Sequence, residues 1–402
     1  MRVLVAIEDL RTGGAQVFAM RLAQALKKHG HEVWLYCHYS TYINRDLVQQ
    51  LAPDVPVLAF SPKLPGLDWL LLKGQGLLRR FHRPFPVREQ LIKHDLQGTI
   101  QKLGIQLVNS HTIKSDYVAT AAATASKPPV PVVITMHGCY EDFLHMPEQP
   151  EVTIKSRQAL EQAAGLVYLT QKNLEIFSVP GVRPLADIVH AQVYNGFDGK
   201  FSSEDQLPTR TQLGIKSTDI VFGMVARGIA EKGWEYALNS FQVVQQTHPA
   251  SHLILVGDSE YLSALKKANT NPAVHFVGFA RNPIDWVRLF DVGLLPSYFA
   301  SESLPNSIAE YLFCGVPAIA TRIGEVPAML AVTGGREAGI LLEQNGSGLT
   351  QPEKLTEAMR RYVLDAELLA DHKQLARQCF EKFRMDKCVA AYERIFDQVQ
   401  IH

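Results

Sequence analysis

The chain has 402 residues, of which 47% are hydrophobic, 20% charged and 9% aromatic; this globular composition excludes a largely disordered or fibrous protein and leaves room for two or three domains. Forty Lys and Arg balance forty Asp and Glu, so the basic excess of a general nucleic-acid binder is missing. Five Cys, at 37, 139, 314, 379 and 388, show no CxxC spacing, which argues against a disulfide framework or zinc site and for a reducing compartment.

Short runs of Val, Ile and Leu recur along the chain, separated by longer segments of helical spacing. The first series lies at 3–7, 33–36, 107–108, 132–136, 166–169 and 189–193. A second follows at 220–225, 253–256, 274–277, 292–295 and 316–320. Continuous apolar strands alternating with helices predict parallel sheets covered on both faces. So many strands suit two doubly wound sheets better than one. The polar stretch 195–219, with its Gly, Ser and Pro, is the expected boundary. The expected domains are therefore 1–200 and 201–384, and the remainder to 402 has a helical pattern. No run of 18 apolar residues exists to span a membrane. The opening MRVLVAI meets Glu8 and Asp9 too soon for a signal peptide, so a cytoplasmic protein is expected.

Several motifs fall where strands should end. Gly13 and Gly14 follow the first strand and precede a helix, so their backbone can approach an anion or simply make the tight turn. The dinucleotide fingerprint G-x-G-x-x-G is absent, which counts against NAD or FAD. His137 stands just past 132–136, and His111 just past 107–108. Each is a ligand contact or a structural strand end, since ligands of open α/β sheets sit beyond the carboxyl ends of strands. The loop after 220–225 brings Arg227 and Lys232 to the equivalent edge of the second sheet. Together they can clamp a diphosphate, unless they only solvate the loop. Glu302 precedes Ser303, Leu304, Pro305 and Asn306, where a helix should begin, with Gly315 at its stop. Free N–H groups there can receive an anion. Asn306 and Glu310 share a face of that helix. Residues 61–93 break the strand–helix rhythm and mix bulky apolar side chains with seven Lys or Arg against two acids. That segment is either core or a surface that docks on anionic lipid.

These residues carry a resemblance. Gly13-Gly14, His137, Arg227 with Lys232, and Glu302 with seven residues before Glu310 resemble the retaining GT-B glycosyltransferases of family 4. The run 302–321 (ESLPNSIAEYLFCGVPAIAT) and the following Gly324-Glu325-Val326-Pro327 are similar to that family's donor segment. Val193 through Asp198 resembles its interdomain passage, and Phe276-Val277-Gly278 its base-binding strand end. Gln16 stands where the family often has Glu, and Gly257-Asp258-Ser259 lacks a second Gly common there.

The resemblance implies two Rossmann-like domains facing across a cleft, with a C-terminal helix, about 385–402, packing back on the first. It implies transfer of a hexosyl unit, with retention, from a nucleotide diphosphate sugar to a saccharide or lipid-linked acceptor, in cell-surface polysaccharide or glycolipid synthesis. Arg227 and Lys232 would stabilise the departing diphosphate, with N–H groups near Ser303, Leu304, Pro305 and Asn306. Glu302 would hold the sugar hydroxyls and Glu310 the ribose diol. His137 would orient the donor sugar or acceptor. Gly13 and Gly14 would admit phosphates or acceptor closely, and Gly257 and Gly278 would line the nucleotide. No Asp-x-Asp occurs, so neither a metal nor another cofactor is expected. A nucleotide-sugar epimerase of the same architecture and a non-catalytic sugar-binding homologue are the alternatives.

Overall fold

The computed structural model describes residues 1–61, 87–138, 140, 150–332 and 334–401. Within it the chain divides into two compact units, one of residues 1–196 with 385–402 and the other of residues 197–384.

The first unit is built on a parallel sheet, with seven strands among the described residues. They are β1 (Arg2–Ile7), β2 (Glu32–Cys37), β3 (Val57–Ala59), β4 (Leu107–His111), β5 (Val132–Met136), β6 (Gly165–Tyr168) and β7 (Val189–Gln192), in the order β3-β2-β1-β4-β5-β6-β7. Side chains alternate across a strand, and β1 buries both sets. Val3, Val5 and Ile7 join one core with α1 (Gly14–Lys28). Leu4 and Ala6 join the other core. α2 (Arg45–Leu51) begins at Asn44, whose side chain accepts from the Leu47 amide at 3.1 Å. The second face is covered by α3 (Val87–Leu103) and α4 (Ile113–Thr124), with α5 (Pro150–Gln162) beside α4. Cover on both faces explains why strands such as β1 and β5 read as unbroken apolar runs.

The second unit is built on β8 (Ile220–Val225), β9 (Ser251–Val256), β10 (Val274–Gly278), β11 (Val292–Leu295), β12 (Ala318–Thr321) and β13 (Gly339–Leu342), all parallel, in the order β10-β9-β8-β11-β12-β13. Its helices are α6 (Trp234–Thr247), α7 (Glu260–Ala268), α8 (Ile284–Val287), α9 (Asn306–Phe313), α10 (Val326–Leu330), α11 (Glu353–Leu364) and α12 (Ala366–Phe380). Trp234, Phe241, Leu355 and Met359 form one core against Phe222 and Met224.

The last helix, α13 (Met385–Ile401), belongs to the first unit. Tyr392, Phe396 and Val399 are buried in the same core as β1 and α1. Gly165 of β6 leaves room for Val399 and Ile395, which a Cβ would meet at 2.9 and 3.3 Å.

Two strands, β3 and β13, have no counterpart in the apolar runs read from the sequence. β3 has only three residues, all half-buried, and pairs on one side with β2. Among the described residues β13 pairs with β12 alone, and it starts on a glycine. Edge strands of this kind need neither length nor two apolar faces. The reading of 61–93 as a docking or core segment falls on residues 62–86, which lie outside the described residues.

Candidate functional site

The candidate residues of the second unit gather where its strands end. β8 runs into Ala226 and Arg227, and β11 into Pro296 and Ser297. Between them, Gly233 carries φ +85°, and a Cβ there would stand 2.2 Å from the Pro296 carbonyl oxygen. Only glycine lets these two loops touch. The Tyr298 amide then donates to the Glu231 carbonyl at 2.8 Å, which locks Lys232 beside the segment 297–302.

Here Lys232 forms an ion pair with Glu302, and both side chains are 8% exposed. The Ser297 hydroxyl donates to the same Glu302 oxygen at 2.9 Å. Burial pushes the Lys232 ammonium down, Glu302 opposes that, and Arg227 adds repulsion. The Phe299 ring lies under both cations, with the Arg227 guanidinium 4.9 Å and the Lys232 nitrogen 4.8 Å from its centre. Arg227 itself is exposed, while its carbonyl accepts from the buried Trp234 indole at 2.9 Å. The result is one exposed guanidinium and one buried, carboxylate-bound ammonium against a single aromatic ring.

Glu302 is fixed by its backbone as well. Its amide donates to the Phe299 carbonyl at 2.9 Å. Gly324, at φ +51°, presses so closely that a Cβ would meet the Glu302 carbonyl at 2.3 Å. Ser303 and Leu304 lead to Pro305, which stands one residue before α9 rather than inside its first turn. Asn306 opens the helix with an exposed side chain; the Ile308 N–H donates to the Pro305 carbonyl at 3.1 Å, and the amides of Asn306 and Ser307 have no intrahelical acceptor. Ile308 and Leu312 are fully buried, and Glu310 is half-buried on the opposite side. The Tyr311 hydroxyl pins the helix to the strand ends, accepting from the Val225 amide at 2.9 Å and donating to the Leu294 carbonyl at 3.1 Å. At the far end Gly315, at φ +68°, closes α9: its N–H donates to the Leu312 carbonyl at 3.0 Å and the Val316 N–H to the Tyr311 carbonyl at 2.9 Å. Gly257, just past β9, donates its N–H to the carbonyl of Gly278, which ends β10, at 3.0 Å.

In the first unit, Gly13 caps α1 in extended conformation, with Gln16 folded back over it. Gly14 is the first helical residue, and exposed. His137 follows β5 and is half-buried. Its Nε2 lies 2.8 Å from Nδ1 of the fully buried His111. Phe18 of α1 meets both rings edge-on. Burial pushes His137 down to about 4 and holds His111 well below its usual range, where His137 adds to the effect. Both rings are therefore neutral near pH 7.

Ser297, Phe299, Tyr311 and Asn109 were not singled out in the sequence. Ser297 and Phe299 directly follow a recognised strand, and that position beyond the carboxyl end was the available signal. Among the described residues, no group of three or more His, Cys, Asp or Glu side chains could hold a metal ion.

Two family models match the chain, one for glycosyltransferase family 4 over residues 12–178 and one for glycosyl transferases group 1 over residues 219–365. The chain belongs to the family 4, group 1 glycosyltransferases. Among the relatives of this glycosyltransferase, N-acetyl-alpha-D-glucosaminyl L-malate synthase of Bacillus anthracis is 25% identical over 96% of the chain and 94% of that protein. The 2-deoxystreptamine glucosyltransferase of Streptomyces kanamyceticus is 26% identical over 66% and 71%. Of the solved structures, HepE of Anabaena in complex with UDP aligns with TM-score 0.73 at 18% identity over 98% of this glycosyltransferase and 99% of that chain. Sucrose-phosphate synthase of Thermosynechococcus elongatus aligns with TM-score 0.68 at 16% identity over 99% and 98%. The fold of this glycosyltransferase is GT-B, with two Rossmann-like α/β units.

Proposed function

We propose that this glycosyltransferase moves a hexosyl unit, with retention, from a nucleotide diphosphate sugar to a saccharide or lipid-linked acceptor in cell-surface polysaccharide or glycolipid synthesis. The observation that supports this reading is the cluster of Arg227, Lys232 and Glu302 against the Phe299 ring. Transfer leaves negative charge on the departing diphosphate, and preorganised cations beside it lower the barrier. Arg227 offers an exposed planar fork. Lys232 is held ready by Glu302 and shares its remaining N–H donors with the phosphate. Glu302, with its second oxygen outside the Lys232 and Ser297 bonds, accepts from sugar hydroxyls. The free N–H groups opening α9 add to the anion site, and Glu310 takes the ribose diol. Ser303, Leu304, Pro305 and Asn306 shape the approach, while Gly257 and Gly278 bring backbone to the nucleotide. His137 orients the donor sugar or acceptor, and Gly13 and Gly14 admit phosphate or acceptor at α1. With cations in this role, the reaction runs without metal and without another cofactor.

HepE has been solved with UDP and with UDP-glucose, which makes uridine nucleotides the first donors to test. The full chain is incubated with UDP-glucose, UDP-galactose, UDP-N-acetylglucosamine and GDP-mannose, each with and without simple saccharides and lipid-linked sugars. Release of nucleotide that depends on acceptor, with an α-linked product from an α-linked donor, is expected. Nucleotide release with an epimerised free sugar and no acceptor would instead make the enzyme an epimerase. Binding without turnover on any of the donors would mark a non-catalytic homologue.

A further inference from the structure

His137 spends Nε2 on His111, and the chain of bonds behind His111 decides which proton remains. The Val133 carbonyl can only accept, so the Asn109 amide nitrogen is the atom that faces it, at 3.0 Å. The same nitrogen donates to the Thr135 hydroxyl at 3.0 Å, and that hydroxyl lies 3.1 Å from the hydroxyl of Tyr392 on α13. The Asn109 oxygen is thereby turned to Nε2 of His111, at 2.8 Å. An amide oxygen can only accept, so His111 carries its proton on Nε2. Neutral His111 then presents a lone pair on Nδ1, and His137 must donate Nε2–H to it. Neutral His137 has no second proton, and Nδ1 has no partner among the described residues.

We infer that Asn109, acting through His111, holds His137 in the Nε2–H tautomer and so makes its free Nδ1 a hydrogen-bond acceptor for a substrate hydroxyl. The inference rests on the reading of His137 as a substrate-facing residue of a glycosyltransferase. Asn109 and His111 are fully buried and act as positioning residues. The register of β4 on β5, with Asn109 beside Val133 and His111 beside Thr135, sets the spacing of the relay. Phe18 and Tyr392 pack around it and keep water away. Such a site takes a sugar that offers a hydroxyl and rejects one carrying hydrogen, fluorine or a methyl ether there, because the lone pair is left unmatched.

The test is the ¹⁵N spectrum of the full chain labelled at histidine, near pH 7, with the His137 signals assigned by their loss in His137→Gln. The wild type should show His137 protonated at Nε2 and bare at Nδ1. Asn109→Leu removes the fixed acceptor and should give a mixture of tautomers. His111→Phe keeps a ring in the same place and removes the bond, with the same expected result; it also serves if Asn109→Leu does not fold. Each variant should lower kcat about tenfold, the scale of one buried hydrogen bond, with nucleotide affinity little changed. Wild-type His137 protonated at Nδ1, or signals unchanged in both variants, would overturn the relay. The spectrum needs no turnover, so it decides the relay even if the chain transfers no sugar. A shift of the His137 Nδ1 line on adding donor or acceptor is the separate sign that the ring faces substrate.

Discussion

Glu302 and Lys232 hold each other in a nearly buried pair, so neither can be changed without exposing the other to an unmatched charge. Breaking such a pair from one side typically costs about 3–5 kcal/mol of stability. Glu302→Gln keeps an acceptor for the ammonium and for Ser297. It should retain nucleotide binding and lose most transfer, because the lost charge belongs to the sugar end of the donor; unaltered turnover would refute the assignment. The two cations differ in their surroundings. Arg227 is exposed, and its removal should leave the fold intact while costing at least ~2.7 kcal/mol of transition-state stabilisation, the scale of one preorganised donor. Lys232→Ala should show a comparable kinetic loss and a lower melting temperature as well. Since both cations stand on Phe299 and serve one developing charge, the double variant should lose less than the sum of the two kinetic losses. Fully additive losses in kcat/KM would place the cations at separate sites.

At the scale of elements, α4 carries a group whose ionisation weakens the first unit. Asp116, in its first turn, is fully buried and accepts a hydrogen bond from Tyr140, but its Oδ1 has no partner. Burial pushes its carboxyl up to about 7, against the pull of the Tyr140 bond. Because the folded value lies above the unfolded one, Asp116 contributes its full stability below about pH 4. That contribution is lost as pH rises through about 7. Asp116→Asn should flatten this part of the stability profile, seen as a smaller fall in denaturant midpoint between pH 4 and 7; an unchanged slope would assign the dependence elsewhere. Elements of this unit differ in how plainly the sequence announces them. β1 and β5 are buried on both faces and read as full apolar runs, whereas β4 showed only 107–108 and β3 at the edge was not read at all. The same logic governs the site. His137 and Arg227 follow strands that could be recognised, so their position was legible. The His111–His137 bond joins residues 26 apart in sequence and depends on the register of two strands, which no local pattern encodes. Asn109 reads locally as an interruption in an apolar strand, and only its partners across the sheet explain it.

For the whole molecule, the two sheets repeat one architectural rule, placing polar loops beyond the carboxyl ends of parallel strands. What the family relationship leaves to be tested is where the reaction takes place. Among the described residues no helix is long and apolar enough to cross a membrane. Peripheral docking through residues 61–93 is thus a separate matter, and the structure narrows it from one side. Arg88, one of the seven cations of that segment, is buried on α3 with its guanidinium 4.2 Å from the centre of the Tyr39 ring. It is committed to the fold. Lys93 is half-buried on the same helix. The other cations, Lys63, Lys73, Arg79, Arg80 and Arg83, lie outside the described residues and are interleaved in the sequence with Trp69, Leu70, Leu77, Leu78 and Phe81. If this segment docks on an anionic surface rather than joining the core, roughly 1 kcal/mol per cation would make the binding salt-sensitive. Apolar side chains entering the interface would add to it. The full chain should sediment with vesicles containing phosphatidylglycerol at low salt and remain in the supernatant with neutral vesicles. It should be released as salt screens the charges. Arg79→Glu, Arg80→Glu and Arg83→Glu together should abolish sedimentation while leaving transfer to a soluble acceptor unchanged. Failure of the wild type to bind at low salt would make the segment part of the fold and favour a soluble acceptor.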